Sequence, residues 1–138
     1  ERLAHTLGLH EQVVFLGKVA DVPQRLAKTQ VFVLATHWEG MPLALVEAMA
    51  AGCACITSDA PGAREVLQHQ HDGLIVAHAN PAALAHALEQ LLTQPDYAAQ
   101  LGTQARHTAL TRYGDAQMAQ RYQALLDMPL LPATKPTT

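Results

Sequence analysis

Residues 37–55, H-W-E-G-M-P-L-A-L-V-E-A-M-A-A-G-C-A-C, constrain the fold more than any other part of the chain. Between Gly40 and Ser58 the one charged residue is Glu47, set in an otherwise apolar or small-residue run. An ionised carboxylate in such surroundings is costly unless something pairs with it. Residues 31–34 read as a short buried strand. Pro42 suits the first turn of a helix, which is expected to run to about Ala51 and stop at Gly52. Strand, turn and helix N-terminus in that order present unpaired backbone N–H groups and the positive end of a dipole, a site for an anion such as diphosphate. Glu39 lies in the turn and Glu47 within the helix, roughly 8 Å along the axis from its first turn at ~1.5 Å per residue. Carboxylates on either side of a phosphate site can accept hydrogen bonds from sugar hydroxyls, with a sugar near Glu39 and a ribose near Glu47.

The remaining pattern alternates strands and helices. Residues 2–7 read as the end of a helix stopped by Gly8, and residues 13–16 as a central parallel strand. Asp21 is placed to cap a short helix, with Pro23 in its first turn, Gln24 three residues on, and Val22 and Leu26 facing the sheet. Residues 53–57 form the next expected strand, 58–62 a turn-rich loop, 63–67 one helical turn, and Asp72-Gly73 a turn into the strand 74–76. Asn80 caps and Pro81 opens a helix to about Leu92, with Leu84, Leu88, Leu91 and Leu92 as its stripe. Pro95 opens another to about Tyr113, with Tyr97, Leu101, Ala105 and Ala109 stepping by four. A last helix over 115–126 turns Met118, Tyr122 and Leu125 inward. The expected architecture is α/β: one domain over 1–127, a Rossmann-like parallel sheet flanked by helices, with extra C-terminal helices. Residues 128–138, rich in Pro and Thr, are expected to be a disordered tail.

Composition narrows the classes of function. The 138 residues carry a formal net charge of −3 and a pI of about 6.2 with no basic block, which gives no footing for nucleic acid. No apolar run approaches the ~20 residues that span a bilayer. Cys53 and Cys55 share a strand face and read as reduced core residues, in keeping with a cytoplasmic protein. The eight histidines show no metal-ligand spacing, so no metal site is expected. Neither a Ser/His/Asp arrangement nor a Gly-x-Gly-x-x-Gly fingerprint occurs.

The segment from Glu39-Gly40-Met41-Pro42-Leu43 through Glu47-Ala48-Met49-Ala50 to Gly52 resembles the Glu-x7-Glu motif of retaining GT-B glycosyltransferases of the family 4 type. The similarity extends to V-x-F-L-G-x-V at residues 13–19, S-D-A-P-G-A-R-E-V at 58–66 and D-G-L-I-V at 72–76, and it covers nearly everything up to Tyr122. It implies the C-terminal, donor-binding half of a GT-B fold, acting on a nucleotide-diphosphate sugar with no metal or other cofactor. Glu47 would hold the ribose hydroxyls. Glu39 would lie against the donor sugar, orienting it and stabilising an oxocarbenium-like transition state as the catalytic carboxylate. Gly40, Met41, Pro42 and Leu43 would form the donor-binding turn, with the N–H groups of Met41 and Leu43 as donors.

Lys18, Val19 and Asp21 resemble the loop bordering the nucleotide base, although helix capping accounts for Asp21 equally well. Trp38 could stack on a ligand or anchor the loop, the latter favoured. Arg64 and Glu65 sit near the site, with a local ion pair the safer reading. The resemblance also implies a further N-terminal Rossmann-like domain and an Arg/Lys pair upstream, and no Arg or Lys lies between Gln30 and Ala63. The isolated chain is therefore expected to bind donor weakly and to transfer nothing. The acceptor would be a glycan or lipid-linked sugar, in polysaccharide assembly at the inner face of a membrane. Other readings are a non-catalytic nucleotide-sugar-binding module and a GT-B sugar-nucleotide epimerase.

Overall fold

The computed structural model describes residues 1–126; the boundary at 127 and the tail lie outside the described residues. The elements in chain order are α1 (Arg2–Thr6), α2 (Val22–Leu26), β1 (Val31–Leu34), α3 (Leu43–Ala51), β2 (Ala54–Ser58), α4 (Pro61–Val66), β3 (Leu74–Val76), α5 (Pro81–Thr93), α6 (Pro95–Arg112) and α7 (Asp115–Leu126). The three strands form one parallel sheet in the order β1-β2-β3, with Val31 opposite Ala54 and Ile56 opposite Leu74. The α/β architecture, a parallel sheet flanked by helices, is the expected one.

Every residue of β2 is buried, because helices cover the central strand on both faces. On one face Cys55 packs with Leu45, Ala48 and Met49 of α3, Ala63 and Val66 of α4, and Ala105 and Ala109 of α6. On the other, Ala54 and Ile56 pack with Leu74, with Ala87 and Leu91 of α5, and with Leu101 of α6. Cys53 joins the first cluster, and both cysteines are free thiols. Burial pushes both pKa values up, so they are protonated core residues at neutral pH.

Helix ends follow local chemistry. Asn80 caps α5 by accepting the Ala83 N–H at 3.0 Å, with Pro81 at the first helical position. Gly52 ends α3 in the left-handed region at φ 84°, where a Cβ would be strained. Asp21 precedes α2 but makes no side-chain cap bond; its carboxylate instead accepts from Arg25 Nε at 2.8 Å. That bond holds the Asp21 carboxyl below the usual range.

The clearest departure from the sequence pattern is at residues 13–16, which form no strand. A strand requires a ladder partner, and among the described residues none lies alongside. Val14, Phe15 and Leu16 are accordingly more than half exposed. Leu92, expected on the buried stripe of α5, is also exposed. Leu91 next to it turns into the sheet, and one residue is a 100° step around the helix. Met118 and Tyr122 of α7 are exposed rather than inward, and Leu125 lies outside the described side chains. Val22 is exposed while Leu26 packs against the core.

Asp72 ties the turn before β3 to α6. Its carboxylate, 2 % exposed, accepts the Gln68 N–H at 2.6 Å and the Thr108 hydroxyl at 2.9 Å. Asp72→Asn turns an amide NH2 toward one of those donors. It is expected to cost about 1–2 kcal/mol, read as a lowered urea midpoint. An unchanged midpoint would deny the turn this anchor.

Candidate functional site

The candidate site begins where β1 ends. Ser58, the last residue of β2, reaches across to the loop that follows β1. Its hydroxyl accepts the Thr36 N–H at 2.9 Å and donates to the Thr36 carbonyl. The Thr36 hydroxyl then donates to the Trp38 carbonyl at 3.2 Å. These bonds fix the course of the chain into Glu39 and Gly40. Trp38 leaves its ring 74 % exposed, so its backbone carbonyl rather than its indole is the anchor.

Beyond Gly40 the chain enters α3 through a tight turn. Leu43 N–H donates to the Met41 carbonyl at 2.9 Å, and Leu45 N–H to that of Pro42 at 2.9 Å. Pro42 has no N–H and precedes the helix without a side-chain cap. The amides of Met41 and Ala44 have no hydrogen-bond acceptor among the described residues. The expected donor pair was Met41 and Leu43; the turn consumes Leu43 and leaves Ala44 in its place. No acidic residue occupies the first turn of α3, so its positive dipole end is uncompensated.

The two glutamates differ in setting. Glu39 is half-buried and Glu47 is exposed. Glu47 does not suffer the desolvation that its apolar sequence neighbours suggest. The helix turns Leu45, Ala48 and Met49 inward and leaves Glu47 on the opposite face, one turn below the exposed Leu43. Neither carboxylate has an ion-pair or hydrogen-bond partner among the described residues, so both are available as acceptors.

Lys18 and Asp21 are exposed and Val19 is half-buried, on the segment that leads into α2, and α2 packs against α3. Arg64 pairs with Asp59, not with its neighbour Glu65, which lowers the Asp59 carboxyl and raises the Arg64 guanidinium. His37 and His78 meet edge to face, ring centres 4.4 Å apart, beside the strand ends.

A cavity of about 720 Å³ opens beside the turn, lined by Gly40, Met41, Leu43, Val46, Glu65, Tyr113 and Tyr122 among others. It contains neither Glu39 nor Glu47. Arg112, far away in sequence, also lines it and donates to the Glu65 carbonyl at 3.2 Å. Sequence spacing gives no sign of Arg112, because only the return of α6 brings it there. Gly62 is likewise invisible as a site residue from spacing alone. Its backbone lies directly against the Glu39 and Gly40 carbonyls. Among the described residues no group of three His, Cys, Asp or Glu side chains could hold a metal ion. No described helix is long and apolar enough to cross a membrane.

Comparison with known proteins gives this geometry a context. The chain is 33 % identical over 132 residues to the putative glycosyltransferase EpsD of Bacillus subtilis, covering 93 % of this chain and 34 % of EpsD. It is 33 % identical over 115 residues to the N,N'-diacetylbacillosaminyl-diphospho-undecaprenol alpha-1,3-N-acetylgalactosaminyltransferase of Campylobacter jejuni, covering 83 % of this chain and 30 % of that protein. The chain thus spans about a third of the length of these relatives. The solved structure of HepE from Anabaena in complex with UDP superposes with a TM-score of 0.87 at 26 % identity, over 91 % of this chain and 35 % of HepE. The fold is that of GT-B glycosyltransferases. The glycosyl transferases group 1 family matches residues 1–108, which include the whole of the Glu39–Glu47 segment, and the chain belongs to that family.

Proposed function

We propose that the chain binds the donor of a retaining glycosyltransferase that moves a sugar from a nucleoside diphosphate to an acceptor hydroxyl. One observation supports the reading: within the segment 39–47, the amides of Met41 and Ala44 and the carboxylates of Glu39 and Glu47 have no partner among the described residues. The amides and helix dipole suit a diphosphate. Glu47 accepts from the ribose hydroxyls, and Glu39 orients the sugar and stabilises positive charge developing at its anomeric carbon. HepE, solved with UDP, supports the donor class. Lys18, Val19 and Asp21 border the base. The reaction carries no metal cofactor in this reading. The acceptor is a glycan or lipid-linked sugar, and the work is done in the cytoplasm beside the membrane.

In this reading the chain supplies the donor half of the chemistry, and the acceptor side comes from a further Rossmann-like domain. The Campylobacter relative is named for transfer to a diphospho-undecaprenol sugar, which supports a lipid-linked acceptor. Calorimetry with a panel of nucleosides, nucleoside diphosphates and nucleotide sugars tests the donor assignment. The diphosphates are expected to bind weakly to this chain and more tightly to the full-length protein, and the nucleosides not at all. Equal binding of nucleoside and diphosphate would remove the phosphate site. Transfer by the homogeneous isolated chain would contradict the division of labour.

A further inference from the structure

We infer that Ser58 and Gly62, which contact no ligand in the proposed reading, are positioning residues that aim the donor-binding turn. The inference rests on that reading for its consequence, but its structural basis is independent. Two segments leave the same end of neighbouring parallel strands. The chain leaving β1 carries Thr36 to Gly40, and the chain leaving β2 carries Ser58 to Gly62 beneath it.

Ser58 is 7 % exposed, and its hydroxyl engages both the N–H and the carbonyl of Thr36. One side chain therefore fixes a whole peptide unit of the neighbouring loop, 22 residues away in sequence. The ladder of β1 with β2 ends at Leu34 and Thr57, so this clamp extends the register past the last rung. Thr36 passes the constraint on through its hydroxyl to the Trp38 carbonyl.

Gly62 acts four residues further on. It is buried at the start of α4, where its φ is ordinary, so the requirement for glycine is one of space. A Cβ there would lie 2.5 Å from the Gly40 carbonyl oxygen and closer still to that of Glu39. Both obstacles are backbone, so an added methyl cannot be absorbed by a side-chain rotation; the Glu39–Gly40 peptide and the start of α4 must move apart. That peptide carries the Glu39 carboxylate on one side and leads to the Met41 amide on the other. Alanine is the better helix former at position 62, so a role confined to α4 would leave the variant neutral or more stable. A displacement of about 1 Å in a positioning group can cost about 100-fold in function.

The test uses the 15N-labelled chain as wild type, Gly62→Ala, Ser58→Ala and Ser58→Thr, followed by NMR with UDP as probe. Without ligand, Gly62→Ala and Ser58→Ala are expected to shift the amides of residues 39–44 while those of α5 and α6 stay in place. Ser58→Thr, which keeps the hydroxyl, should return the loop resonances to near their wild-type positions. With UDP, the Met41 and Ala44 amides of the wild type should titrate, and both disrupting variants should bind at least tenfold more weakly. Loop resonances unmoved by Gly62→Ala, or unchanged UDP affinity, would overturn the inference. Loss of the α5 and α6 resonances would also count against it, because positioning requires that the scaffold survive. If UDP leaves the wild-type loop untouched, the donor reading fails, and the ligand-free spectra still decide whether Ser58 and Gly62 set the turn.

Discussion

Truncating Leu45 to alanine is expected to destabilise the chain by about 3 kcal/mol, the usual range for a buried Leu that leaves a cavity. Leu45 is fully buried at the start of α3, where it packs with the cluster that joins α3 to Cys55, α4 and α6. Its neighbours come from three different elements, so the cavity cannot close by one local movement. In thermal unfolding this corresponds to a drop in Tm of roughly 10–15 °C for a domain of this size. A drop of less than about 3 °C would mean that the first turn of α3 is not seated in the core. Since Leu45 directly follows Ala44 and lies four residues from Met41, the same substitution should loosen the donor turn and weaken UDP binding.

The second large effect is on binding. Glu47→Ala is expected to lower affinity for nucleoside diphosphates by roughly 10- to 150-fold, from the loss of about 1.5–3 kcal/mol in charge-assisted bonds to the ribose hydroxyls. The exposure of Glu47 makes this a clean experiment. No buried partner is orphaned and no cavity opens, so stability should change by less than about 0.5 kcal/mol. Calorimetry of wild type and variant in parallel reads the effect. The control is a 2′,3′-dideoxynucleoside diphosphate, which should bind both proteins equally. Equal affinity of both proteins for the ribonucleotide would remove Glu47 from the site.

Much of this arrangement could be read from local sequence. Pro42 and Gly52 bracket α3, Asn80 and Pro81 open α5, and Asp115 opens α7, because caps and breakers act through the neighbouring backbone. Glu39 and Glu47 stand out in the sequence as well, and the clamp they would form is the proposal that the binding experiments test. What the sequence could not convey depends on partners distant along the chain. Residues 13–16 have the composition of a buried strand, but composition does not supply a neighbouring strand, and none is present among the described residues. Glu47 has apolar sequence neighbours, yet a helix distributes them to one face and leaves the acid on the other. Asp21 looks like a cap until Arg25, one turn on, claims its carboxylate. Ser58 and Gly62 read as ordinary turn residues; only the parallel pairing of β1 with β2 brings them beneath Thr36 and Gly40.

The phosphate chemistry follows from the same geometry. With no Arg or Lys between Gln30 and Ala63, the turn itself offers a diphosphate only amides and a helix dipole, while Arg112 lines the cavity beside it and donates to the Glu65 carbonyl. A helix terminus contributes typically 0.3–1 kcal/mol toward a nearby charge, well short of what nanomolar affinity needs. Weak binding by this chain is therefore an intrinsic expectation of its architecture. In the proposed reading, tighter binding by a longer protein would report cationic groups supplied from outside residues 1–126.

A crystal structure with UDP bound, of this chain or of the longer protein that the proposed reading calls for, tests the central claim most directly. The account predicts diphosphate oxygens within hydrogen-bonding distance of the Met41 and Ala44 amides, ribose hydroxyls on the Glu47 carboxylate, and Glu39 facing the space where the sugar would stand. UDP seated in the cavity beside Tyr113 and Arg112, with those amides and both glutamates left to water, would contradict it.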